Sequence, residues 1–285
     1  MEPLQRDVTA NGLRLRVLEW DGGGRTTVLC LHGFLDSAWA FFEVGPALAA
    51  AGHHVVAPDL RGFGDSERVG AGGYYYFTDY LLDVADLVEA LARDRLALVG
   101  HSMGGSIAAQ YAASFPDRAW RVALLESIEF DQPPEPPPRR IAAWVAAVRQ
   151  ARGRPARLFP TVEAAAERIR ALDPRCPPAT ARALAERGTR AVDGGFTFRH
   201  DPLHVTPSPF PFDLARVKAF WSALRCPVLL VQGGATELPL PADLEARRAC
   251  FADARQAVIP GAGHMLMRHA PAEVARLLLG FLAGG

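Results

Sequence analysis

The stretch Val99-Gly100-His101-Ser102-Met103-Gly104-Gly105 constrains this chain more than any other, because it sets Gly-x-Ser-x-Gly between an apolar run and an Ala-rich helical pattern. A serine on a tight strand-to-helix turn takes a strained backbone, and glycines two residues to either side remove the Cβ atoms that would collide there. Upstream, residues 96–99 read as a short buried parallel strand. Downstream, residues 106–115 carry helix formers that stop at Pro116. This strand–turn–helix context presents the Ser102 hydroxyl at a sheet edge and aims the unpaired N–H groups and positive end of the next helix at the same point.

The rest of the chain supplies the sheet. Residues 8–19 alternate apolar and polar around Asn11-Gly12, which predicts an antiparallel hairpin. Short apolar runs at 27–31, 53–57, 96–99, 122–125, 228–231 and 256–259 predict buried strands, and helical periods at 39–51, 80–92, 106–115, 243–250 and 272–282 separate or follow them. That alternation predicts an α/β fold whose mostly parallel, eight-stranded sheet is covered by helices on both faces. With 285 residues, 49% of them hydrophobic, one domain carrying an insertion accounts for the whole length. The alternation lapses between 128 and 224, where Pro133-Pro134-Glu135-Pro136-Pro137-Pro138 opens a segment with helical stretches at 139–152, 162–172 and 178–187. The expected division is a core of residues 1–127 and 225–285 and an inserted helical lid of residues 128–224.

Thirty-one Lys and Arg balance 31 Asp and Glu, and no basic stripe is present, so nucleic acid is not an expected partner. The first twenty residues mix charges with single apolar residues and no later stretch has the length to span a bilayer, so a soluble, cytoplasmic chain is expected. Cys30, Cys176, Cys226 and Cys250 are scattered without the paired spacing of a zinc or redox site. Neither a metal nor an organic cofactor is expected.

Four motifs, each after a predicted strand, carry a resemblance to the α/β-hydrolase superfamily over nearly the whole chain: Leu31-His32-Gly33-Phe34-Leu35-Asp36-Ser37, Asp59-Leu60-Arg61-Gly62-Phe63-Gly64-Asp65-Ser66, the Ser102 elbow, and Gly261-Ala262-Gly263-His264. Their order is that of the family. Glu186-Arg187-Gly188-Thr189 leading to Gly194-Gly195-Phe196 resembles the lid of serine-hydrolase-like proteins. The resemblance implies Ser102 as nucleophile, His264 as general base, and the backbone N–H groups of Phe34 and Met103 as an oxyanion hole. His32 reads as structural, His101 as a residue that packs or orders the turn, and His269 as a lesser possibility for the base.

The triad acid departs from the commonest family pattern, in which an aspartate lies three residues past the glycine ending the strand after the lid. Here Gln232-Gly233-Gly234-Ala235-Thr236 puts a threonine at that position. Some dehalogenases and related luciferases carry the acid instead at the tip of the strand after the nucleophile helix, where this chain has Glu126. A carboxylate following Val122-Ala123-Leu124-Leu125 is costly to bury unless paired, and His264 would be such a partner. Glu126 is therefore the expected acid, with Glu237 and then Asp243 as alternatives.

The function these readings imply is a serine hydrolase acting on a small apolar ester or related carbonyl substrate through an acyl-enzyme, with Trp39, Trp144, Phe198 and Phe212 as candidate pocket residues. Carbon–carbon bond hydrolysis, peracid formation, a ligand-binding receptor or scaffold with little turnover, and cofactor-free oxygen chemistry are the other readings on the same fold. Tyr74-Tyr75-Tyr76-Phe77 either edges the pocket or staples a loop to the core.

Overall fold

The computed structural model describes residues 1–153 and 156–284. Its strands are β1 (Leu4–Ala10), β2 (Leu13–Asp21), β3 (Thr26–Leu31), β4 (His54–Pro58), β5 (Arg95–His101), β6 (Arg121–Leu125), β7 (Thr189–Val192), β8 (Gly195–Phe198), β9 (Val228–Gly233) and β10 (Ala254–Ile259). The helices are α1 (Val44–Ala50), α2 (Phe77–Leu91), α3 (Met103–Ser114), α4 (Pro137–Gly153), α5 (Val162–Leu172), α6 (Pro178–Gly188), α7 (Leu214–Ala223), α8 (Leu244–Arg248), α9 (Leu266–His269) and α10 (Pro271–Ala283). Eight strands form one sheet in the order β1-β2-β4-β3-β5-β6-β9-β10. The β1/β2 and β2/β4 pairs are antiparallel and the others parallel.

The hairpin turn lies at Asn11 (φ 46°) and Gly12 (φ 72°), a pair of left-handed residues that matches the twist of the strands it joins. In the central strands successive side chains enter opposite layers. Leu29, Leu31, Leu98, Val122 and Leu124 pack with α2, α3 and α7, while Val28, Cys30, Val99, Ala123 and Leu125 pack with α1 and α10. The helix expected over 39–51 is broken into a 3-10 turn at Ala38–Phe41 and α1. Pro46 accounts for this, since its ring would clash with the carbonyl four residues back in a continuous helix.

Between β6 and β9 lie α4, α5, α6, the separate β7–β8 hairpin, and α7. Helix α7 falls within the segment expected as lid, yet Trp221 and the adjoining Leu224 belong to the main core. The hairpin has no counterpart in the helix-only reading of that segment; Asp193-Gly194 forms its turn, with Gly194 at φ 82°. The tyrosine run fastens the insertion to the core. Tyr75 donates its hydroxyl hydrogen to Asp201 Oδ2 (2.8 Å), Tyr74 donates to the Pro207 carbonyl (2.9 Å), and the His204 ring stacks between Phe63 and Tyr75 at centroid distances of 3.7 and 3.9 Å.

Among the described residues, no helix is long and apolar enough to cross a membrane. No group of three or more His, Cys, Asp or Glu side chains there is placed to hold a metal ion, and the four cysteines are free thiols.

Candidate active site

Ser102 lies between β5 and α3 with φ 51° and ψ −115°, a conformation that non-glycine residues hold only when their surroundings enforce it. The enforcement is visible. Its N–H donates to the Leu125 carbonyl (2.9 Å) and its carbonyl accepts from the Gly105 (3.0 Å) and Ser106 (3.2 Å) amides. The flanking glycines are required by space, since a Cβ on Gly100 would overlap the Gly104 carbonyl and a Cβ on Gly104 the Leu31 carbonyl. The chain after β3 therefore passes directly against the start of α3.

That passage also positions the first motif. A Cβ on Gly33 would stand 2.7 Å from His101 Nδ1 and 3.4 Å from the Ser102 Cβ, so the loop beginning at Gly33 runs alongside the serine. Among the described residues neither the Phe34 nor the Met103 amide donates to a protein acceptor. Phe34 is 49% exposed, and its ring meets Phe63 edge-on. His32 is fully buried, donating from Nδ1 to the Gly33 carbonyl (2.8 Å) and accepting the Leu60 amide at Nε2 (3.0 Å). Asp59 steadies the loop from the other side by accepting the Ala38 amide (2.7 Å), and burial pushes its carboxyl up to about 6.

Glu126 directly follows β6 with φ 50° and is 2% exposed. Its Oε1 accepts the Gly233 amide (2.6 Å); its Oε2 accepts the Thr236 hydroxyl (2.6 Å) and the His264 Nδ1–H (3.1 Å). Burial alone would raise this carboxyl. The bonds from His264, Thr236 and Gly233 outweigh it and hold Glu126 below the usual glutamate range, so it is a carboxylate at neutral pH. Thr236, which occupies the position where the commonest pattern has the acid, is thus a hydrogen-bond donor to Glu126 at the tip of the neighbouring strand.

His264 lies in the turn after β10 and is held on three sides. Its amide donates to Glu237 Oε2 (3.0 Å), its carbonyl accepts the His101 Nε2–H (2.8 Å), and its ring bonds Glu126. His101 is neutral: burial, with the nearby His264, pushes it down to about 4. The Glu126 bond at Nδ1 leaves His264 Nε2 as the basic nitrogen. No hydrogen bond joins that nitrogen to Ser102 Oγ among the described residues; nucleophile–base contacts commonly tighten only with substrate bound.

The other candidates have different partners. Glu237 binds the His264 backbone rather than its ring, and Asp243 pairs with Lys218 and Arg247 (both 2.7 Å). His269 spends both ring nitrogens elsewhere, accepting the Gly263 amide and donating to Asp173. Trp39 lies under the Arg187 guanidinium at 4.7 Å, Trp144 meets Tyr74 edge-on at 5.4 Å, Phe198 packs on Phe159 in the insertion's own cluster, and Phe212 meets Phe130 at 5.0 Å. These four contacts are spread over the insertion and its seams. Sequence reasoning missed the parts played by Thr236, Glu237 and Asp173, because each depends on a partner far away in the chain.

Glu129, three residues past Glu126, is buried, and that burial, reinforced by the Glu126 charge, pushes its carboxyl up to about 7. The folded protein thus holds a proton that an unfolded chain releases near pH 4.3, and stability falls as pH rises between those values. Glu129→Gln is expected to match the parent near pH 4 and to exceed it by up to about 3 kcal/mol at pH 8, as urea unfolding at the two pH values would measure. An unchanged difference across that range would show that Glu129 does not carry the proton.

A family profile described as the alpha/beta hydrolase fold matches residues 26–268. Among relatives, a serine hydrolase-like protein of Dictyostelium discoideum is 29% identical over 257 residues, covering 86% of this chain and 72% of that protein. The 2-(acetamidomethylene)succinate hydrolase of Mesorhizobium japonicum is 27% identical over 279 residues, covering 98% of this chain and 95% of that protein. Among solved structures, the thioesterase domain from the curacin biosynthetic pathway superposes with a TM-score of 0.89 at 27% identity, covering 98% of this chain and 100% of that one. The profile, spanning most of the sheet and both of its helical layers, establishes that this chain belongs to the α/β-hydrolase fold family.

Proposed function

We propose that this chain is a serine hydrolase that cleaves a small apolar ester or thioester through an acyl-enzyme, with Ser102, His264 and Glu126 as its triad. The observation that carries the reading is the Glu126–His264 bond (3.1 Å), made by a carboxylate that Gly233 and Thr236 also hold in place. The strained elbow at Ser102 and the Phe34 and Met103 amides, without protein acceptors among the described residues, support it. Thioesters enter the substrate class through the curacin thioesterase domain, to which the chain is similar over nearly its full length.

In this reading Ser102 Oγ attacks the carbonyl carbon while its proton passes to His264 Nε2. The carbonyl π electrons move onto oxygen, where the Phe34 and Met103 amides and the positive end of α3 meet the new charge. The tetrahedral adduct collapses, the C–O or C–S bond to the leaving group breaks, and His264 returns its proton to the departing oxygen or sulfur. Water then adds to the acyl carbon, giving a proton to His264. The second collapse releases the carboxylic acid and restores the Ser102 hydroxyl. Glu126 keeps the His264 Nδ1–H directed at itself and balances the imidazolium, remaining a carboxylate throughout.

The test is intact-mass analysis after exposure to a fluorophosphonate, which labels quickly only where a serine is activated beside a formed oxyanion hole. One adduct per chain on the parent and none on Ser102→Ala is the expected result. An unlabelled parent would overturn the reading in favour of a ligand-binding member of the family.

A further inference from the structure

A single turn of the insertion holds the two side chains that accept the backbone amides around the candidate base. Asp173, at the C-terminal end of α5, accepts the His269 Nε2–H at 2.7 Å. The other nitrogen of that ring, Nδ1, accepts the Gly263 amide at 2.9 Å, so the His269 ring carries its hydrogen on Nε2 and joins Asp173 directly to the residue before His264. Two positions on, Arg175 forms an ion pair with Glu237, whose Oε2 accepts the amide of His264 itself (3.0 Å). The same carboxylate of Asp173 lies 3.6 Å from Arg268 Nη1, while Arg268 Nη2 donates to Asp36 Oδ2 at 2.9 Å. Asp36 closes the loop that carries Phe34 through its amide bond to the Gly33 carbonyl (3.3 Å).

Asp173 and Asp36 are both nearly inaccessible, with side-chain exposures of 8% and 6%, and Arg268 at 14% is hardly less so. Apolar side chains would fasten an insertion to a core without the desolvation cost of buried ions. What these ions add is direction, since each ends on the backbone that carries the base or on the loop beside the nucleophile. Burial works against ionising Asp173, but its bond to His269 and the Arg268 charge overcome this and keep it a carboxylate below the usual aspartate range.

We infer that Asp173 and His269 are positioning residues through which the seated insertion sets the place of the Gly263–His264 backbone, and so the reach of His264 toward Ser102. The inference rests on the serine-hydrolase reading. An insertion whose α5–α6 turn has left its place withdraws the support of both amide acceptors, His269 and Glu237, at once. The enzyme is then competent only with the insertion seated.

The experiment compares the parent with Asp173→Ala, His269→Ala and His269→Asn, the last retaining a short acceptor for the Gly263 amide that does not extend to Asp173. Fluorophosphonate labelling is followed to completion by intact mass, giving both a rate and a final labelled fraction, alongside kcat and KM for p-nitrophenyl acetate and the thermal midpoint. Asp173→Ala and His269→Ala are expected to label roughly 10–100-fold more slowly with the same final fraction, and to lower kcat with KM unchanged, as misplacement of a reacting group does. His269→Asn is expected to recover part of the rate. Parental labelling rates in both alanine variants would overturn the inference, and so would a loss confined to labelled fraction and thermal midpoint, which marks a fold-supporting role only. A parent that does not label at all fails the hydrolase reading instead. In that event the carbon-bound ring resonances of His264, observed by NMR in the parent and in Asp173→Ala, decide the matter: displacement sustains the positioning role and coincidence ends it.

Discussion

Glu126→Gln is expected to lower kcat toward p-nitrophenyl esters by about 10⁴-fold while leaving the fold intact, the size of effect seen when a triad acid becomes its amide. The amide oxygen retains one acceptor for either the Gly233 N–H or the Thr236 hydroxyl, which now bond separate carboxylate oxygens. The amide nitrogen then faces a donor, either one of those groups or His264 Nδ1–H. Turning the amide to meet the imidazole offers it a donor and favours hydrogen on Nε2, the nitrogen that must accept the Ser102 proton. Glu237→Gln is the control. Its side chain accepts from the His264 backbone through one oxygen, a bond that an amide oxygen reproduces, and the pairing with Arg175 that it loses is a half-exposed one, so a change within about tenfold is expected. Near-parental activity of Glu126→Gln together with an inactive Glu237→Gln would transfer the acid role to Glu237.

Ser102→Ala is expected to remove about 10⁶ of kcat, because a triad acts as a unit and the loss of its nucleophile removes nearly all that the unit contributes. The residual rate is itself informative. The Phe34 and Met103 amides are untouched by the substitution, and an oxyanion hole with binding alone sustains about 10³–10⁴ over uncatalysed hydrolysis. Turnover of the variant equal to that of free ester in buffer would mean that those amides do not meet the carbonyl oxygen. Turnover equal to the parent's would mean that the activity does not pass through Ser102.

Much of this was legible in the chain because its signals are local. Gly100 and Gly104 each announce a place where two backbones touch, and the alternation of Val28-Leu29-Cys30-Leu31 between two layers needs only neighbouring residues to be seen. That Glu126 needs a partner was legible for a related reason, since a charged residue ending an apolar strand is costly alone, and His264 meets it. The hairpin of β7 and β8 escaped notice because Asp193-Gly194 joins strands of only four residues each, whose composition resembles that of a loop. Helix α7 was hidden for the opposite reason, as its contacts with the core lie a hundred residues earlier in α3. The network of Asp36, Asp173, Arg268 and His269 left no local trace at all. A surface aspartate and a buried, paired one look alike in sequence, and only the fold brings residues 36, 173 and 268 together.

The bond between Thr236 and Glu126 also bears on descent. An acid cannot travel from one strand to the next here by a single substitution. Thr236→Asp arising first would set a second carboxylate where a hydroxyl now donates to Glu126 at 2.6 Å, and two carboxylates that close share one proton rather than both staying charged. Loss of Glu126 first leaves the imidazole without a counter-ion. Either order passes through a site with two carboxylates or none beside His264, so under the proposed triad Glu126 and Thr236 are expected to tolerate exchange only together.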